Sequence, residues 1–105
     1  MKHDQFIQAI KERRIVSLTF YSKEDSSNQI RRCAVLDYGI RRGIKSQEEH
    51  YHFWDFDGKN GIPHTLSLTI DKIVDMKFLN EIFEPSSFIT WKPNWHISRD
   101  WGTYS

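Results

Sequence analysis

Three arginine pairs, Arg13-Arg14, Arg31-Arg32 and Arg41-Arg42, are the residues of this 105-residue chain best suited to a defined chemistry. A guanidinium presents a planar fork of donors that matches a phosphate or carboxylate two bonds at a time. Tyr21, Tyr38, Tyr51 and Trp54 supply aromatic planes on which bases stack, so the combination points to an anionic ligand, single-stranded nucleic acid or a nucleotide. The same residues also fit a solvated basic surface paired with Glu12, Asp37, Glu48 and Glu49. If residues 31 and 32 are extended, they point to opposite faces, and only one of them can meet a given partner.

His50 and His52 share one face of an extended segment, a spacing that metal sites use, with Asp55, Asp57 and His64 near in sequence. That face also carries Trp54 and Phe56, and no third ligand follows from the spacing, so they are read as histidines of an aromatic strand and no metal site is predicted. Cys33 has no assignable base, Ser67 lacks a strand-to-helix nucleophile elbow, and no glycine loop cradles a phosphate. No catalytic residue and no cofactor is expected, and the chain is read as a non-enzyme. A lone cysteine excludes an internal disulfide and fits a reducing compartment.

Charge is unevenly placed. Residues 11–45 hold nine basic and four acidic side chains, a net +5, whereas residues 46–105 hold five basic and nine acidic, a net −4. A near-neutral total therefore conceals a basic half, a feature of chains with an anionic partner or a self-associating surface. The mean hydropathy of −0.64 is low, but an aromatic content of 14% supplies large buried areas. One compact domain is the most this length supports. The longest stretch without a formal charge, residues 60–70, is about half of the roughly 20 residues needed to span a bilayer. No membrane partner is expected. Charges recur too often near the N-terminus for a secretion signal, so the expected location is cytoplasmic.

The elements that must position these residues follow from periodicity. Residues 4–14 place Phe6, Ile7 and Ile10 on one helical face, with Asp4 as N-cap and Arg13 and Arg14 in the last turn. From Ile15 the period becomes two: Val16, Leu18 and Phe20 alternate with Ser17, Thr19 and Tyr21, a strand. A polar turn at 23–28 leads to a strand over 30–40, with Gly39 as a bulge position. The charged loop 41–49 precedes the aromatic strand 50–56. Asp57-Gly58 and Asn60-Gly61 supply the positive φ of a tight hairpin. Leu66, Leu68 and Ile70 alternate as a further strand. Residues 73–83 fit a strand or a helix, the alternation of Val74, Met76 and Phe78 favouring strand. One helix and five short strands predict a mainly β, α+β domain, a small five-stranded barrel.

This layout resembles the WYL domain, a small Sm-like or SH3-like barrel attached to many bacterial transcription regulators. The matching stretches are FIQAIKERRIVSLTFYS at 6–22, IRRCAVLDYGI at 30–40, YHFWDFDG at 51–58 and LTIDKIVDMKFLNEIFEP at 68–85. Tyr51, His52 and Phe53 stand where the family's signature triplet falls, Val35 replaces its second-strand proline, and Thr69 the arginine of its closing strand. Only one helix fits before the first strand, so no helix-turn-helix is expected. The resemblance implies a non-enzymatic ligand-sensing or nucleic-acid-binding module. Its ligand would meet Arg13, Arg14, Arg31, Arg32, Arg41, Arg42, Tyr51 and Trp54.

Residues 1–85 form the barrel unit, and 86–105 a distinct Trp-rich tail. Trp95, Ile97, Arg99 and Trp101 recur at period two, the spacing of an added strand. Trp91, Trp95 and Trp101 either cover an open side of the barrel or form an interface with a second copy or a protein partner, where Trp and Arg dominate binding energy. A protein-interaction or assembly subunit is accordingly the alternative function.

Overall fold

The computed structural model describes residues 2–45 and 47–105; Met1, and Ser46 in the charged loop, lie outside the described residues. Helix α1, His3–Glu12, buries Phe6, Ala9 and Ile10. Lys2, not Asp4, occupies the N-cap position; Asp4 sits in the first turn, where it meets the positive end of the helix dipole. The helix also ends earlier than its charge pattern predicts. Arg13 adopts the left-handed conformation, φ 57°, and its N–H turns back to the Ile10 carbonyl at 3.3 Å. That reversal starts the first strand at Arg14.

Five antiparallel strands follow: β1 Arg14–Ser22, β2 Ser27–Ile40, β3 Glu49–Lys59, β4 Ile62–Leu68 and β5 Ile73–Ile82. Their order across the sheet is β4-β3-β2-β1-β5, so the fold is mainly β, α+β, with one N-terminal helix. The ambiguous segment is a strand because β1 has a second edge to satisfy; Val16 pairs with Phe78 and Leu18 with Met76, which buries Met76. The barrel does not close. Strands β4 and β5 remain edges, with no ladder between them among the described residues. Among those residues, no helix is long and apolar enough to cross a membrane.

The hairpin chemistry acts as expected, but its two Gly pairs do different work. Asn60 and Gly61, with φ of 60° and 78°, make the two-residue turn that pairs Lys59 with Ile62. Asp57-Gly58 instead forms the irregularity before it: Asp55 Oδ1 accepts the N–H groups of Asp57 and Gly58 at 3.0 and 2.8 Å. A side chain at Gly58 would place its Cβ 1.8 Å from the Ile62 carbonyl oxygen. Because this turn sets the register, β4 begins at Ile62 and ends at Leu68, earlier than alternation at 66–70 implies, and Ile70–Lys72 becomes a 3₁₀ turn. Pro63 is tolerated because β4 is an edge.

Both faces of the sheet are covered. Alternation puts Val16, Leu18, Cys33, Val35 and Phe53 on one face, where Phe6 of α1 packs against Tyr51 and Phe53. Ile15, Ala34 and Trp54 lie opposite one another on the other face. There Trp54 stacks on Phe88 of the tail at 5.2 Å. A bulge between Val35 and Asp37, rather than at Gly39, inserts Leu36 as an extra residue. Without it, Asp37 would share the α1 face with Val35. With it, Asp37 pairs with His52 on the tail face.

Asp37 then anchors the tail. Its Oδ2 accepts the His96 N–H at 2.8 Å and its Oδ1 the Ile97 N–H at 3.0 Å. Arg99 pairs with Oδ1 at 3.1 Å, and its side chain is completely buried. The guanidinium lies between two indoles, 4.2 Å from the ring centre of Trp95 and 4.4 Å from that of Trp101. Burial pulls Arg99 down to about 10, against the pull of Asp37, which still leaves it charged at neutral pH. Trp101 is buried and donates its indole N–H to the Ile10 carbonyl at 2.9 Å. The period-two pattern at 95–101 is therefore no added strand: the backbone at His96 and Ile97 is tied to the Asp37 side chain, Trp101 to the Ile10 carbonyl, and no ladder forms. Asp37→Ala leaves the Arg99 charge buried and unpaired, and should cost about 3–5 kcal/mol in urea unfolding. A chain ending at Pro85 should lose cooperative unfolding altogether. An unchanged urea midpoint in either case would show that the tail adds nothing to the core.

Candidate functional site

The three arginine pairs have different fates. Arg13 donates to Glu84 at 3.0 Å, and Arg14 to Glu12 at 3.0 Å and to the Leu79 carbonyl at 3.3 Å. Arg31 and Arg32 point to opposite faces of β2. Arg31 is largely buried, with Nε 3.3 Å from Asp55 Oδ2; Arg32 crosses to Glu81 and lies over Phe56. The carboxylates are thus mostly not those nearest in sequence. Of the expected partners, Glu12 takes a guanidinium of the three pairs, Asp37 takes that of Arg99 instead, and Glu49 accepts the Tyr38 hydroxyl at 2.6 Å. That bond to a carboxylate, the largest cause, raises the Tyr38 hydroxyl to about 12.

Only Arg41 and Arg42 have no carboxylate partner among the described residues. They stand beside a cleft of about 350 Å³, at the low end of the roughly 300–1,000 Å³ usual for small-molecule sites. Its floor is the tail-side face of the sheet, where Asp37, His52, Thr65 and Ser67 lie side by side on β2, β3 and β4. One wall is Ile40–Arg42. The other is the tail, Trp91, Lys92 and Asn94–His96. Arg42 spans the two, donating Nε–H to the Asn94 carbonyl at 3.2 Å and Nη2–H to His96 Nδ1 at 3.3 Å. His96 Nε2 is 3.0 Å from the Ile40 carbonyl, which only accepts, so the Nδ1 lone pair is free to take the Arg42 bond. Gly39 makes the close approach possible: a Cβ there would meet the His96 ring at 2.4 Å.

Two aromatic residues expected at a ligand lie elsewhere. Tyr51 is in the core beneath α1, and its hydroxyl meets His3 Nδ1 at 2.7 Å. Trp54 is flanked by Phe88 and Trp91. The cleft's rings come instead from the tail. Of the three tail tryptophans, Trp101 is core, Trp95 is half-buried over Arg99, and Trp91 is 38% exposed. Lys92, Trp91 and His96 were thus outside the sequence's candidate set for a ligand; the one available signal was a lysine and a histidine interleaved with tryptophans in an otherwise acidic half.

His50 and His52 do share a face, their rings 6.1 Å apart, but each is used locally. His52 Nε2–H donates to the Gly39 carbonyl at 3.0 Å, leaving Nδ1 to accept from the Ser67 hydroxyl at 2.7 Å. Asp55, on the opposite face, lies 3.8 Å from His64. Among the described residues no three His, Cys, Asp or Glu side chains converge. Cys33 is fully buried, and that burial, with Asp55 and Asp57 nearby, pushes its thiol far above the ordinary range. Comparison with protein-family models, curated proteins and solved structures finds no match to this chain.

Burial holds His52 below its ordinary value of 6.5, opposed by the Gly39 carbonyl and the Asp37 charge. The unfolded chain therefore binds this proton more tightly than the fold does. Stability should fall as pH drops from about 6.5 toward the lower folded value, and level off beneath it. His52→Gln should flatten that part of the pH profile of urea midpoints. A profile identical to wild type would remove His52 from the account.

Proposed function

We propose that this chain is a non-enzymatic module of the WYL kind that senses or binds an anion, in nature a nucleotide or single-stranded nucleic acid. The observation that carries the reading is the survival of one unneutralised guanidinium pair, Arg41-Arg42, at a cleft that also holds Lys92. Three cations face it, and its one carboxylate, Asp37, is already satisfied by Arg99. The other five guanidiniums are tied to carboxylates and serve the fold. Such a site pulls in an anion at long range and binds it through donors that carry no covalent chemistry.

A second reading, an assembly or interaction subunit, is favoured by a separate observation. Ile62 on edge strand β4, and Val74 and Ile82 on edge strand β5, are each more than half exposed. Open edges with exposed apolar residues are a ready surface for another chain.

Titration with a short single-stranded oligonucleotide at several salt concentrations separates the two. Affinity should fall as a power of salt, and the double change Arg41→Ala, Arg42→Ala should reduce the slope by about one unit per lost phosphate contact. Arg13→Ala with Arg14→Ala should leave the slope unchanged. Absence of binding to any polyanion at low salt, combined with a dimer or larger species by light scattering, would favour the assembly subunit.

A further inference from the structure

The cleft is built from two parts of the chain, and the tail half determines what it takes. Three rings run outward from the core: Phe88 and Trp54 stack at 5.2 Å with planes 13° apart, and Trp91 follows Trp54 at 5.8 Å. Trp91 ends this series, 38% exposed, and lines the cleft that Trp54 does not reach. Its sequence neighbour Lys92 lines the same cleft, as do Arg41 and Arg42. Arg41 and Lys92 make no hydrogen bond or ion pair among the described residues. Arg42 spends only its Nε–H and one Nη2–H on the tail, which leaves its Nη1 donors free.

Resting on the anion reading of this cleft, we infer that its occupant is one phosphorylated nucleoside unit, its base laid on Trp91 and its phosphate held between Arg41-Arg42 and Lys92. The shared chemistry is that of a nucleoside monophosphate or of the phosphorylated end of a strand. Recognition is at one unit and not along a track. A track needs successive free cations, whereas Arg32, the basic residue that β2 presents on this same face, is closed by Glu81. The volume agrees: about 350 Å³ admits one small molecule. Because the phosphate bridges the sheet wall and the tail wall, ligand also strengthens the docking of the tail.

The test uses the full chain and five probes: adenosine monophosphate, adenosine, inorganic phosphate, a 5′-phosphorylated linear oligodeoxythymidine, and the same sequence closed into a circle. Adenosine monophosphate should bind at least tenfold more tightly than adenosine or phosphate and should quench tryptophan fluorescence. Trp91→Ala should weaken it roughly 5- to 150-fold, the range for loss of a base-aromatic stack, and leave inorganic phosphate unaffected; Trp91→Phe should restore most of the loss. Lys92→Ala should weaken both. Trp91 is exposed, so unchanged thermal unfolding of the variants will show that the fold is intact. A linear strand bound tenfold more tightly than the monophosphate marks a strand end as the ligand; the reverse marks a free nucleotide. If the circle binds as tightly as the phosphorylated linear strand, recognition at one terminal unit is overturned while the anion reading survives. If no anion binds even at low salt, both fall.

Discussion

The Asp37–Arg99 pair is the interaction on which the rest of this structure depends. A carboxylate on the sheet and a guanidinium from the tail are both withdrawn from water, which is unfavourable for each alone. The pair persists because every nitrogen of the guanidinium and both carboxylate oxygens find partners. Asp37 accepts two backbone N–H groups, and Arg99 donates to the Leu36 and Ile97 carbonyls while two indoles cover its faces. An arginine suits this place where a lysine would not, since only a planar cation can both fork its hydrogen bonds and lie flat between rings.

From that anchor the tail's other contacts follow. Trp101 reaches the C-terminal end of α1, Phe88 and Ile89 fill the face of the sheet that α1 does not cover, and Trp95 closes on Trp101 at 5.5 Å. An open five-stranded sheet in so short a chain has too few residues for a second full layer, and twenty tail residues rich in indole supply the missing area. The cleft is a consequence of the same arrangement. It lies where the tail leaves the sheet, so its walls are as fixed as the ion pair that sets their separation.

Electrostatics within the fold explains why a basic half of the chain yields only one basic site. Arg14, Arg31 and Arg32 stand on strands and Arg13 joins α1 to β1, with the acidic second half of the chain brought alongside by β5 and the β3–β4 hairpin. Glu81, Glu84 and Asp55 are within reach there. Arg41 and Arg42 follow the end of β2, where the ladder to β3 stops at the Ile40–Glu49 pair and Glu49 is already taken by the Tyr38 hydroxyl. The excess positive charge is left where regular structure stops.

Periodicity and turn chemistry are local, and by themselves they determined the helix near residues 3–12, the change to strands at residues 14–15, the aromatic strand β3 and the Asn60-Gly61 turn. Each of these depends on residues within a few positions of one another. The opposite orientations of Arg31 and Arg32 were likewise legible, because alternation in a strand is strict. What only the tertiary structure decided lies between residues far apart in the chain. The bulge at Leu36 turns Asp37 onto the tail face, and nothing in alternation signals it; Asp37 then meets Arg99, 62 positions away, and Arg32 meets Glu81, 49 positions away. Which guanidiniums are neutralised, which tryptophans are core, and where a cleft opens are all settled by such pairings. A local pattern cannot specify them, since each depends on strand order and on where the tail is tied down.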